Sequence, residues 1–238
     1  MYWTEEAQTR TETEPQFKMM ELKAHELSGC SVSSNVLLAD AAFGLEKFLF
    51  TLFGQAIAWF EEYAFLQGNG VGKPQGMLTA AASVSVTRQG ANLVQFADVA
   101  GMLGLLLPAS LKRAIWAIHP YVLPELVQLA DAGGRVVWVP NNGGAQDSVP
   151  GTLFGLPVFT TEKLPALGTS GDILLIDPQL YVIGDRMQIE VAASAHVNFL
   201  KNQMTWRVVE RVDGQPWLDS AVTSQDGAST VSPFVALT

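Results

Sequence analysis

The chain has 238 residues, 48% of them apolar and only 16% charged, against a usual charged share of about a quarter. That length allows one large domain or two closely joined ones, and the low charged share suits either a large core or extensive subunit contacts. A net charge of −9 argues against tight nucleic-acid binding, which needs clustered Lys and Arg to displace counterions.

Thr4 to Glu14 is polar and acidic, so no signal peptide is visible. Phe17 to Leu27 shows broken alternation (Met20, Leu22, Ala24), which predicts an exposed strand. Cys30 is the lone cysteine; it can form no internal disulfide and reads as a small buried hydrophobe. Ser33 or Ser34 can cap a long helix running from Ser34 to Leu66. Leu38, Ala41, Leu45, Leu49, Leu52, Ala56, Trp59 and Tyr63 recur at helical spacing, and Phe48, Phe53 and Phe60 broaden the stripe. Such a helix is about 50 Å long, whereas a compact chain of this size is roughly 45 Å across. Unless it kinks at Gly44 or Gly54, it must form an arm, and Phe48, Phe53, Trp59 and Phe60 are candidates for packing against a sheet or a neighbouring subunit. Phe48 to Phe60 is 13 uncharged residues, short of the roughly 20 that span a bilayer, so no membrane partner is expected.

The helix runs into Gly68-Asn69-Gly70-Val71-Gly72-Lys73-Pro74-Gln75-Gly76. A P-loop would need glycine where Gln67 stands and Ser or Thr where Pro74 stands, and both phosphate motifs need a helix after the glycines, not before them. Gly68, Gly70 and Gly72 permit positive φ and an αL cap. Lys73-Pro74-Gln75-Gly76 suits a type I turn, giving a sharp helix-to-strand reversal.

Val84 to Arg88 reads as a strand, and a helix near Asp98 runs to Leu107 and stops at Pro108. Ala114 to Ile118 reads as a buried strand. Pro120 opens a helix to about Ala130, closed by Gly133-Gly134, and Arg135 to Val139 returns as a strand. This alternation implies a small α/β unit with its own sheet. Asn141-Asn142-Gly143-Gly144-Ala145-Gln146-Asp147 is a polar loop. Strands are then predicted at Leu153–Thr160, Ile173–Ile176, Leu180–Ile183, Gln188–Ala192 and Met204–Val212, with Asp213-Gly214 as a hairpin turn. Thr223 to Ser232 reads as a mobile polar tail before a last strand at Phe234–Leu237.

No catalytic constellation emerges. The three histidines, His25, His119 and His196, form no ligand pattern. Glu61 and Glu62 point about 100° apart on a helix and do not face each other as a catalytic pair would. Only His119, closing a buried strand ahead of a helix, occupies a position where open α/β sheets place functional groups. No catalytic residue, cofactor or metal is expected, and the chain is not read as an enzyme.

Phe65, Leu66, Gly68, Asn69, Gly70, Lys73, Pro74, Gln75 and Gly76, taken in order, resemble the run after the spine helix of tailed-bacteriophage major capsid proteins of the Hong Kong ninety-seven type. Trp3-Thr4-Glu5-Glu6, Val32-Ser33 with Leu37-Leu38-Ala39-Asp40, Gly155-Leu156-Pro157-Val158, Asp177 through Arg186, and Asn198 through Arg211 resemble further segments. The resemblance implies an α+β fold with a long spine helix, a peripheral antiparallel sheet region and a compact α/β axial domain. It divides the chain into 1–30 (remnant of an extended loop and a strand), 31–83 with 159–238 (peripheral), and 84–158 (axial). It also implies a self-assembling subunit of an icosahedral phage or prophage capsid, whose pentamers and hexamers enclose double-stranded DNA without reading its sequence. Scaffold, protease and portal are the further partners implied, and the virion, assembled in the bacterial cytoplasm, is the location. Asn141, Asn142 and Asp147 would lie near the tip that points at a ring centre. Only two residues precede the position matching the close of the extended loop, so the arm and most of that loop are expected to be missing. This chain alone is then expected to be monomeric or weakly ring-forming. An encapsulin-like nanocompartment shell is the alternative; a small-molecule enzyme using His119 with Asp177 or Asp185 is the more distant one. The family's lysine–asparagine cross-link is not assigned, since neither Asn198 nor Asn202 can be matched to it.

Overall fold

In this computed structural model, residues 19–40, 44–130, 134, 151–225, 227 and 229–238 are described. The first regular element, β1 (His25–Ser34), alternates half-buried and exposed side chains along its length and so lies with one face against the protein. The predicted strand from Phe17 therefore starts later, at His25. Cys30 falls on the open face and is exposed, contrary to the buried reading. The Ser34 hydroxyl accepts the Val36 N–H at 3.3 Å and launches α1 (Asn35–Asp40).

The single rod expected from Ser34 to Leu66 is two helices. A second one, α2 (Leu45–Gln67), starts after Gly44, whose φ of −62° and ψ of 87° are not helical. Glycine leaves the helical region at little steric cost, and the hydrophobic period runs across it unbroken, which is why periodicity alone joined the two pieces. Gly54 stays inside α2. At 23 residues α2 is about 34 Å long, short enough to lie along the molecule.

Next come β2 (Val84–Val86) and α3 (Phe96–Leu105). The α3 start is fixed by Asp98, whose buried carboxylate accepts the Gln95 N–H at 3.0 Å and the Gln89 N–H at 3.2 Å. After β3 (Ile115–Ile118), a 3-10 turn over Pro120–Val122 leads to the short α4 (Leu123–Val127), which stops before the predicted Ala130. The strand expected at Arg135–Val139 and the loop Asn141–Asp147 lie outside the described residues. The remaining strands are β4 (Thr152–Leu153), β5 (Leu156–Thr160), β6 (Ile173–Ile176), β7 (Tyr181–Asn198), β8 (Gln203–Pro216), β9 (Val222–Thr223), β10 (Thr230–Val231) and β11 (Phe234–Leu237).

Six of them form one mixed sheet in the order β2-β11-β6-β3-β5-β4. The sheet of the α/β unit thus takes β6 and β11 from outside 84–158, and the C-terminal strand runs between the edge strand β2 and β6. Ile115–Ile118, Ile173–Ile176 and Phe234–Leu237 are continuous apolar runs because both sheet faces are covered. One face packs Trp116, Ile118, Leu175, Val235 and Leu237 with Val99 and Met102 of α3 and Leu126 of α4. The other packs Ala117, Leu174, Ile176, Phe234 and Ala236 with Leu66, Met77, Leu164 and Tyr181.

The second sheet is antiparallel, in the order β1-β8-β7. Here the two predicted strands Leu180–Ile183 and Gln188–Ala192 are parts of the single β7. The Asp213-Gly214 turn is also corrected: both residues are mid-strand in β8, paired with Gly184 and Ile183 of β7. Glycine is needed there because a Cβ would stand 2.6 Å from the Tyr181 hydroxyl. The predicted tail from Thr223 contains the β9–β10 hairpin and ends in Ser232, which is fully buried. Its hydroxyl donates to the Ala82 carbonyl at 2.5 Å and accepts the Phe234 N–H at 3.0 Å.

Candidate functional site: an exposed helix face and its glycine corner

The C-terminus of α2 leaves carbonyls without intrahelical donors, and the glycine segment folds back to supply them. Met77 N–H donates to Phe65 O at 2.9 Å and Leu78 N–H to Leu66 O at 3.0 Å. The return path is an antiparallel bridge between Asn69 and Gln75, with Gly76 N–H on Gly68 O at 2.8 Å and Gly70 N–H on Pro74 O at 3.3 Å. This closed loop replaces the type I turn expected at Lys73–Gly76, and no strand follows until Val84. Gly68 ends the helix with φ −58° and ψ 146°, so it is not an αL cap; Gly70 and Gly72 take positive φ, 73° and 67°. Gly68 and Gly76 serve close approach instead. A Cβ on Gly68 would meet Pro74 O at 2.1 Å, and one on Gly76 would meet Gly68 N at 2.5 Å. Tyr181 locks the corner to the second sheet by donating its hydroxyl to Gln75 O at 2.8 Å. Its phenol pKa is raised above 10.0, first by burial and then by the Asp213 carboxylate.

Along α2 two stripes separate. Ile57 and Ala64 are buried, and Phe50 meets Trp206 of β8 edge-on at 5.8 Å, so this stripe faces the three-stranded sheet. The opposite stripe carries Phe48, Leu52 and Trp59, exposed by 39–50%. Phe60, 53% exposed, stands about 100° round the helix from Trp59 and, like the half-buried Phe53 and the 41% exposed Phe50, borders the sheet-facing side. Trp59 is fixed in place: its indole N–H donates to Glu162 Oε1 at 2.8 Å, its ring stacks on Tyr63 at 5.7 Å, and Lys163 sits 5.9 Å above it. Held aromatic side chains in an exposed apolar row are what an interface between chains requires. Of the other predicted contact residues, Asn141, Asn142 and Asp147 lie outside the described residues.

Sequence reasoning missed a second apolar projection. The 3-10 turn Phe199–Lys201 joins β7 to β8, with Asn202 in the left-handed region at φ 51°. It presents Phe199 and Leu200, the latter 98% exposed, beside the exposed Val197 near the end of β7. Asn198 and Asn202, both tolerant of turn conformations, were the available signal.

The groups considered for chemistry are not brought together. His119 Nδ1 accepts the Tyr121 N–H at 3.1 Å at one end of β3. Asp177 lies beyond its other end, since Ile115 pairs with Ile176, and it is paired with Arg113 at 2.7 Å. Asp185 belongs to the other sheet. Among the described residues no group of three His, Cys, Asp or Glu side chains could hold a metal ion, and no described helix is long and apolar enough to cross a membrane.

The sequence model of the phage capsid family matches residues 1–224. No curated protein sequence matches the chain. Among solved structures, the capsid of a native GTA particle superimposes with a TM-score of 0.78 at 23% identity, over 100% of this chain and 80% of that one. A structure from Mycobacterium phage Bobi gives a TM-score of 0.61 at 16% identity, over 91% and 72%. The holo-SrpI encapsulin complex from Synechococcus elongatus PCC 7942 gives 0.62 at 14%, over 90% and 73%. At such identities these three speak to the fold.

Proposed function

Since this chain belongs to the phage capsid family, with the α+β capsid fold, we propose that it is a structural subunit of an icosahedral phage or prophage shell. It assembles into pentamers and hexamers that enclose double-stranded DNA. The observation that carries this reading is the set of large apolar side chains that α2 leaves exposed, among them Phe48, Leu52, Trp59 and Phe60. Rings need heterologous contacts, one face of a subunit against a different face of the next. A row along a helix on one side and the Phe199–Leu200 projection on another supply two such faces. Shell contacts must be individually weak, so that assembly errors can dissolve, and moderate apolar patches fit that need better than a deep pocket.

The net charge of −9 suits a wall that contains DNA without gripping it; scaffold, protease and portal would be the other partners. An encapsulin-like shell shares the fold, but the match to the phage capsid family favours the phage shell. No catalytic role is proposed. Electron microscopy of the gene product under assembly conditions should show closed particles or rings. A Phe48→Ser/Phe60→Ser variant should keep the monomer's circular dichroism and lose them. Particles formed equally well by that variant, or a strictly monomeric full-length gene product under assembly conditions, would overturn the assignment of this face.

A further inference from the structure

Glu61 lies on the buried stripe of α2, four residues after Ile57 and three before Ala64. Opposite it, Glu210 of β8 is 7% exposed, and its Oε2 has no hydrogen-bond partner when both groups are carboxylates. The two carboxyls are near enough to act on each other. Asp185 of β7 pairs with Val212, two positions from Glu210, and so faces the same side. Two acids therefore stand where α2 rests on the sheet, with Asp185 exposed on the same face of the sheet.

The surroundings supply little positive charge. On β1, Leu27 pairs with Glu210 and His25 with Val212, which places His25 on the same face and Glu26 on the other. On β8, Arg211 turns to the opposite face and reaches the Ala24 carbonyl at 3.5 Å, while Asp213 accepts the Lys23 N–H at 2.6 Å. On β7, Arg186 sits in a register shift between Asp185 and Met187. On α2, Glu62 is engaged by Lys163 at 2.8 Å. Burial, then Glu61, then Asp185 push the Glu210 carboxyl up to about 7, and Glu61 is raised by burial and Asp185.

We propose that the contact between α2 and the three-stranded sheet is a proton-operated latch, in which one proton held between Glu61 and Glu210 supplies the missing hydrogen bond and its loss loosens the helix. With the proton bound, one carboxyl donates to the other and the buried oxygen is satisfied; without it, two carboxylates face each other in a poorly solvated joint. The sign follows from linkage. The folded protein holds this proton more tightly than the unfolded chain, so the stabilisation is full below pH 4.5, the ordinary value. It declines as pH rises and is gone above about 7. This latch belongs to the single chain and does not depend on shell assembly.

The test reads the proton and the helix separately, on the whole 238-residue chain. Carboxyl-carbon NMR should show a Glu210 resonance titrating near pH 7, and Glu61→Gln should move it to lower pH. Hydrogen exchange of the α2 amides, corrected for intrinsic rate, should lose protection between pH 5 and pH 8, by no more than about tenfold per pH unit for one proton. Glu210→Gln, which keeps a hydrogen-bonding group there, should leave α2 protection independent of pH. A Glu210 resonance titrating with ordinary carboxylates below pH 5 overturns the proposal without any variant. So does α2 protection with the same pH profile in wild type and Glu210→Gln.

Discussion

Gly68→Ala should be the most damaging small change at the helix corner, and the reason is steric, not conformational. Its φ of −58° and ψ of 146° suit any residue. The obstacle is backbone: the new Cβ would stand 2.1 Å from Pro74 O and 2.5 Å from Ala64 O, neither of which can swing aside as a side chain could. Forcing an extra carbon into such a site costs about 1–3 kcal/mol. Moving Pro74 outward also strains the Gly70–Pro74 and Gly76–Gly68 hydrogen bonds, at about 1 kcal/mol each. The total is about 3–5 kcal/mol, a large part of the 5–15 kcal/mol typical of a folded domain. Two controls isolate the cause. Gly72→Ala meets no atom within 4 Å but keeps φ at +67°, and should cost only the left-handed penalty of about 1–2 kcal/mol. Gly54→Ala, inside α2 with open space around it, should stabilise the helix by up to about 1 kcal/mol. Urea unfolding of the three variants ranks them. If Gly68→Ala is no worse than Gly72→Ala, the close-approach reasoning is wrong.

Further outcomes follow from buried polar groups. Arg88 reaches both carboxylate oxygens of Asp172 at 2.6 Å, with the two side chains 6% and 0% exposed. Arg88→Ala should therefore strand a buried charge and cost about 3–5 kcal/mol, read as a lower melting temperature; a loss under about 1 kcal/mol, typical of a surface pair, would refute burial as the cause. Ser232→Ala removes a hydroxyl that bonds both Ala82 O and Phe234 N, and should cost about 1–3 kcal/mol by the same measurement. The Tyr181 phenol is raised above its ordinary 10.0 by burial and then by Asp213. Its contribution to stability is full below pH 10 and declines as pH rises past that value. Tyr181→Phe should flatten the alkaline limb of the stability curve, and an unchanged limb would count against the buried phenol.

The fold was legible wherever burial on both sides left no ambiguity of period. Ile115–Ile118, Ile173–Ile176 and Phe234–Leu237 are continuous apolar runs, and each is a strand of the six-stranded sheet. Helix α3 was legible from Asp98 and Pro108. The second sheet was harder because β7 shifts register against β8 between Asp185 and Met187 and again before Glu190. Each shift flips the inward alternation, so one 18-residue strand reads as two short ones. Asp213-Gly214 misled for a related reason: its turn signal is local, while the Tyr181 hydroxyl that requires a glycine there arrives from a strand far off in sequence.

The same division runs through the site. The aromatic row of α2 and the glycine corner are legible because helical spacing and backbone freedom are properties of consecutive residues. The acidic joint is not. Glu61 and Glu62 were set aside as a pair on sound geometry, since adjacent helix residues diverge by about 100°, and Glu62 does turn away to Lys163 at 2.8 Å. The partner that matters for Glu61 comes from β8, and whether Glu210 points at the helix or at solvent depends on the pairing of Leu27 with Glu210. A slip of one residue in that pairing would bring Arg211 to the helix, and the joint would hold an ion pair instead of a shared proton. The chemistry of this contact is therefore fixed by strand register, which no local pattern in the sequence encodes.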